Sequence, residues 1–136
     1  MKKSIQICVP LVDADPACDR ALMVRLAYRS DDPFFVTLSI RTRKGMKTIA
    51  EYPRQQLDDA LGRPTRWADM QVHPNPDDVA SMLVRLPGAM GERIYLISKR
   101  AVCDFLVNSY TIVPDGGEWG LSWDAWAANQ AAKISA

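Results

Sequence analysis

The sequence predicts an α+β fold: a single domain in which antiparallel β-sheets, packed face to face or curled together, carry helices on the outside. Three observations lead there. The chain has 136 residues, of which 48% are hydrophobic and 24% charged, enough for one core that removes about two-thirds of the unfolded surface from water. Most of it reads as apolar and polar residues in alternation, joined by turns too short for a parallel crossover. Two helical stretches each close a run of strands, so the order strands, helix, strands, helix has the form of a duplicated half, although no residue-level repeat accompanies it.

The elements follow in order. Ile5, Ile7 and Val9 alternate as a first strand, Asp13-Ala14-Asp15-Pro16 is a turn signal, and Leu22, Val24, Leu26 and Tyr28 alternate on a second. In the third, Phe34, Val36, Leu38 and Ile40 share one face. Lys44-Gly45 offers a residue free to take positive φ, so Met46 to Tyr52 returns as the partner strand of a hairpin. Pro53 suits the first turn of a helix, Leu57 and Leu61 mark its buried stripe, and Gly62 with Arg63-Pro64 stops it.

Three further extended segments are expected at Trp67–His73, Val79–Leu86 and Arg93–Ile97, separated by Pro74-Asn75-Pro76-Asp77-Asp78 and Pro87-Gly88-Ala89-Met90-Gly91. Ser98 is placed to cap a second helix in which Val102, Phe105, Leu106 and Tyr110 fall at helical spacing. The core domain is read as residues 1–112. Residues 113–136 form a Gly/Asp/Pro turn region and an Ala-rich helical tail, which packs on the domain or on a neighbouring subunit. Trp119, Trp123 and Trp126 stand at i, i+4 and i+7 in that tail.

Composition limits the function. A net charge of +1 lacks the basic surplus of a dedicated nucleic-acid binder. Cys8, Cys18 and Cys103 are odd in number and far apart, which gives neither a disulfide framework nor a CxxC metal site and fits a reducing cytosol. The N-terminal apolar run is interrupted by Gln6, Pro10 and Asp13, which reads as a strand and not a signal peptide. No run approaches the ~20 apolar residues of a membrane span.

Several pieces together resemble the SsgA-like proteins, small actinobacterial regulators of sporulation and cell division. In order they are Leu26-Ala27-Tyr28 with Asp32-Pro33-Phe34-Phe35-Val36; Arg54 with Leu57 and Leu61; Arg63-Pro64; and Asp69-Met70-Gln71-Val72 with Pro74. Later come Gly91-Glu92, Phe105-Leu106, and Val113-Pro114 with Gly117-Glu118. The chain departs from the family pattern at Ala50-Glu51-Tyr52-Pro53, at Thr65-Arg66-Trp67-Ala68 and in its tail tryptophans. The resemblance implies two antiparallel sheets with helices, like the Whirly single-stranded nucleic-acid-binding proteins, and a homo-oligomer, a trimer. It also implies a non-enzymatic cytoplasmic adaptor concentrated at division septa. Its partners would be the tubulin-like division protein FtsZ or a paralogous SsgA-like protein.

The residues that could do chemistry are read as structural. His73, the only histidine, stands beside Pro74 with no nucleophile at a recognisable spacing. Cys103 lies inside an apolar helical pattern. Asp31-Asp32, Asp58-Asp59 and Asp77-Asp78 are adjacent pairs, whose side chains diverge on any regular element and so make neither an acid/base dyad nor a metal cage. No phosphate-cradling glycine motif is present, and no catalytic residue, cofactor or metal is assigned. Two groups remain as partner contacts. Trp119, Trp123 and Trp126 form an apolar face that packs within an oligomer or docks a partner. Arg41, Arg43, Lys44 and Lys47 surround the hairpin tip; they read as a solvated tip that blunts strand pairing, or as an electrostatic contact with an acidic protein segment or nucleic acid.

Overall fold

The computed structural model describes residues 3–18, 21–88 and 91–114. The elements in chain order are β1 (Ser4–Asp13), β2 (Ala21–Arg29), β3 (Asp32–Thr42), β4 (Gly45–Pro53), α1 (Arg54–Asp59), β5 (Thr65–Trp67), β6 (Met70–Pro74), β7 (Ser81–Leu86), β8 (Arg93–Ser98) and α2 (Lys99–Ile112). The expected repetition is present as four strands and a helix, twice.

One correction concerns the sheets. The two expected sheets are a single antiparallel one, ordered β4-β3-β2-β1-β8-β7-β6-β5. β1 pairs with β2 from Ser4 to Val12, and only its last two residues, Val12 and Asp13, reach Leu96 and Tyr95 of β8. That short seam joins the two quartets. The sheet then curls until its ends meet: the Tyr52 hydroxyl of β4 lies 2.7 Å from the Thr65 hydroxyl of β5, and the Phe35 and Trp67 rings lie 5.7 Å apart.

A second correction concerns the segment expected to run straight from Trp67 to His73. It is a hairpin in which Trp67 pairs with Met70 around Ala68-Asp69, and Ala68 adopts φ 53°. A left-handed alanine costs about 1 kcal/mol, and nothing in its residue type announces the turn. Elsewhere the strand past the Pro76 turn starts at Ser81, leaving Val79 exposed. Pro53 is the N-cap of α1 while still pairing with Phe35, one residue earlier than expected.

The helices were expected outside the sheets, but they lie on the inner face. Leu57 and Ala60 of α1 and Val102, Phe105 and Leu106 of α2 join Val9, Leu11, Val24, Leu26, Val36, Val72, Met82, Val84 and Ile97 in one core. The outward residues of β1, from Ser4 to Val12, stay exposed, so neither described helix covers that face. Each fully buried Val, Leu, Met or Phe contributes roughly 1.5–3 kcal/mol. Ser98 caps α2 as expected, its Oγ accepting the Ala101 N–H at 3.2 Å.

The largest fully buried side chain is Arg54, the first residue of α1, 1% exposed. Its guanidinium donates to the carbonyl oxygens of Ser109 (3.2 Å), Val113 (2.6 Å) and Pro114 (3.3 Å), which lie at and just past the C-terminus of α2. The rings of Tyr28 and Tyr110 hold it at 4.6 and 4.5 Å from their centroids. A helix C-terminus leaves carbonyls unsatisfied and carries partial negative charge, so a planar cation with several donors suits the position. Tyr28 is fixed in turn by its hydroxyl, which donates to the Pro33 carbonyl at 2.9 Å, and Tyr110 donates to Asp58 of α1.

Two predictions follow from this packing. Arg54→Met lowers the unfolding free energy by about 3 kcal/mol, because the carbonyls stay buried while their donors are lost, and Arg54→Lys recovers little of it; urea unfolding checks both. The second concerns Tyr52, whose phenol is pushed above its ordinary value of 10.0, chiefly by burial, with the Thr65 hydrogen bond opposing. A raised folded value means its contribution is complete below pH 10 and lost as the pH climbs through that value. Tyr52→Phe therefore costs about 1 kcal/mol at neutral pH, and the variant's stability declines less steeply above pH 10.

Candidate interaction surface

The tail tryptophans Trp119, Trp123 and Trp126 lie outside the described residues. The described residues end at Pro114. α2 ends at Ile112, Val113 is extended and buried, and the Pro114 carbonyl accepts from Arg54. Pro114, the last described residue, thus lies beside α1.

The basic tip is fully described. Thr42 and Gly45 are the last paired residues of β3 and β4; the Thr42 hydroxyl donates to the Gly45 carbonyl at 2.8 Å and accepts the Lys44 N–H at 3.2 Å. Gly45 takes φ 113°, so the turn needs glycine there. Arg41, Arg43, Lys44 and Lys47 are all exposed. They do not share a face: Arg41 pairs with Met46, Lys47 pairs with Ile40, and these successive pairs point to opposite sides of the hairpin. The cations therefore surround the tip instead of forming a flat platform.

β4 is the outermost strand of its half. Its outer backbone edge has no strand partner among the described residues. Gly45 to Thr48 are exposed, Ile49 and Ala50 are half-buried, and the register shifts between Leu38 and Ser39, which leaves Ile49 as the extra residue. Toward its C-terminal end β4 meets the β5–β6 hairpin. There Ile49, Trp67, Met70 and Leu86, with Glu51 and Asp69, line a cavity of about 180 Å³.

Trp67, 41% exposed, is the surface residue that sequence reasoning missed as such. Its pattern was that of a strand start, and only the hairpin turns it toward Phe35. The exposed outer face of the sheet also carries Met23 and Val12, 58% and 44% exposed. These belong to neighbouring strands, since Met23 pairs with Pro10 and Val12 with Leu96.

The groups weighed for chemistry are engaged in structure. His73 Nε2 accepts from Arg85 Nε at 3.1 Å, its Nδ1 lies 3.1 Å from the Pro74 carbonyl, and Arg85 also binds Glu92 at 2.9 Å. Asp31 pairs with Arg29, and Asp59 with Arg63. Asp78 accepts the Ala80 N–H in the turn before β7. Cys103 is half-buried on α2. Among the described residues no group of three or more His, Cys, Asp or Glu side chains is placed to hold a metal ion, and no helix is long and apolar enough to cross a membrane.

Comparison with known proteins gives a consistent picture. Residues 22–118 match the family model of SsgA, the Streptomyces sporulation and cell division protein. Over 97 residues the chain is 27% identical to the sporulation-specific cell division protein SsgB of Saccharopolyspora erythraea, spanning 71% of this chain and 69% of the relative. Two solved structures share the fold. An SsgA-like sporulation-specific cell division protein from Thermobifida fusca superposes with a TM-score of 0.72 at 19% identity, covering 100% of this chain and 96% of that one. A structure of SsgB from Streptomyces coelicolor, whose mutations correlate to longitudinal cell division during sporulation, gives 0.70 at 24% identity, covering 87% and 93%.

Proposed function

The chain belongs to the SsgA family of sporulation and cell division proteins, and from that we propose that it is a non-enzymatic regulator of sporulation septation that acts by binding other proteins. The match to the SsgA model over residues 22–118 carries the reading. It covers β2 to β8 and both helices, and so all of the described core except the β1 residues Val9 and Leu11. In this proposal the protein recruits or localises FtsZ at septum sites, alone or with a paralogous SsgA-like protein. It works in the cytoplasm, concentrated at septa, as a homo-oligomer, a trimer.

Two features support action by contact. The histidine and the carboxylates that might have served an enzyme are tied into turns and ion pairs. The surface, by contrast, has charged and apolar groups to offer at the β3–β4 tip and on the outer sheet face. The tail, residues 113–136, is proposed to pack on the domain or a neighbouring subunit, with Trp119, Trp123 and Trp126 as anchors; a fully desolvated indole is a frequent centre of binding energy. A second reading, a Whirly-like regulator that binds single-stranded nucleic acid, is favoured only by the basic tip. Phe35 pairs with Pro53, roughly 27 Å along β4 from Gly45 at that tip, whereas single strands are held by aromatic platforms interleaved with the cations.

Size-exclusion chromatography with light scattering separates the readings. The whole chain is expected to run as one discrete oligomer, to co-migrate with FtsZ and to ignore mixed single-stranded oligonucleotides. Trp123→Ala with Trp126→Ala is expected to reduce the oligomer or the melting temperature. A shift with oligonucleotide alone that fades steeply between about 50 and 200 mM salt contradicts the adaptor reading in favour of nucleic acid.

A further inference from the structure

The open edge of β4 combines three properties found together nowhere else among the described residues. The first is unpaired backbone. From Gly45 to Ala50, about 17 Å of extended chain, the strand pairs with β3 on one side and with no described residue on the other. An exposed edge of this kind is a template for another strand unless it is blunted.

The second is charge. Three arginines elsewhere on the sheet are neutralised locally, Arg29 by Asp31, Arg85 by Glu92 and Arg93 by Asp13. None of Arg41, Arg43, Lys44 and Lys47 forms an ion pair with another described residue. Lys47 and the bulge at Ile49 discourage pairing between two copies of the same edge, since like charges would meet. They do not discourage an acidic strand.

The third is a receptacle. At the inner end of this open stretch the cavity between Ile49, Trp67, Met70 and Leu86 is large enough for one apolar side chain. It exists because the sheet curls incompletely. Tyr52 and Thr65 join the far end of β4 to β5, and the cavity lies between the two strands on the tip side of that contact.

We propose that the Gly45–Ala50 edge of β4 is a strand-addition site for an extended acidic polypeptide segment. Its backbone pairs with β4, its carboxylates face the four tip cations, and an apolar side chain about four to five residues along enters the cavity. This is the β-augmentation mode of peptide recognition, in which main-chain hydrogen bonds supply affinity and a pocket supplies specificity. The cations lie on both sides of the hairpin, which suits an added strand, because its side chains also alternate between the two faces. The proposal rests on the reading of the protein as one that acts through protein contacts, and it names the chemistry of one such partner.

The test uses the whole chain, immobilised, against a displayed library of random dodecapeptides. The enriched peptides are expected to combine two or more Asp or Glu residues with a β-branched alternation and one large apolar residue. A synthesised winner is expected to bind roughly tenfold more weakly to Arg43→Glu/Lys44→Glu, through lost charge complementarity, and to lose binding when alternate amides are N-methylated. Met46→Pro and Lys47→Pro remove successive N–H groups, which point to opposite sides of a regular strand. The variant that keeps the wild-type melting temperature is the one blocked on its outer edge, and it is expected not to bind the peptide.

Absence of enrichment, enrichment without acidic residues, or binding that survives N-methylation overturns the proposal. So does competition for the site by oligo(dT) with no peptide selected, which assigns the tip to nucleic acid. Co-migration of FtsZ with the edge-blocked variant would remove this site from FtsZ binding and leave the division-regulator reading intact. Failure of the wild type itself to co-migrate with FtsZ would remove the FtsZ reading and leave the peptide result standing.

Discussion

The guanidinium of Arg54 is buried between two tyrosine rings with its donors on the carbonyls that end α2. It draws together distant parts of the chain: Tyr28 from the first quartet, and Ser109, Tyr110, Val113 and Pro114 from the end of the second. A cation taken out of water is costly unless fully satisfied, so this position tolerates only the arrangement in which both helices and β2 are correctly placed. Register between the two halves is thereby set at one point. The two residue pairs of the β1–β8 seam would specify it weakly by themselves.

The same curl that produces one core also leaves the surfaces unequal. Both helices occupy the inner face, so the outer face of β1 and β2 is open to solvent, with Met23 and Val12 on it. The ends of the sheet meet at Tyr52–Thr65 and Phe35–Trp67. Beyond that contact β4 runs out, with no strand partner on its outer edge among the described residues, to a tip of four cations. A closed barrel would have no such edge, and a flat sheet would have no cavity beside it. An interaction protein needs surface of this kind, held on rigid elements.

Much of the architecture could be read from local patterns. Alternation located six of the eight strands because one face of each is buried, and the inward residues Val24, Leu26, Val36 and Leu38 are the ones whose period announced it. Gly45 and Ser98 marked a turn and a cap, since positive φ and an unsatisfied N–H have few residue-type solutions. What escaped depends on contacts distant in sequence or on strained exceptions. The Ala68-Asp69 turn carries no glycine or asparagine, so β5 and β6 read as one strand. Arg54 looks like an ordinary surface residue at a helix start; its partners, Ser109 to Pro114, lie more than fifty positions away. The site was legible in the same proportion. Four basic residues at a tip were evident, whereas the open edge and the cavity behind it exist only once the sheet has curled.

Membership of the SsgA family supports a role in sporulation septation, and action by contact is the proposal built on it. The most direct measurement is microscopy of a fluorescent fusion of the whole chain, expressed from its own locus during sporulation, alongside deletion of the gene. The account predicts foci or ladders at septum positions, arriving with the division ring, and failed or misplaced septa in the deletion strain. Uniform fluorescence together with normal septation after deletion would contradict it.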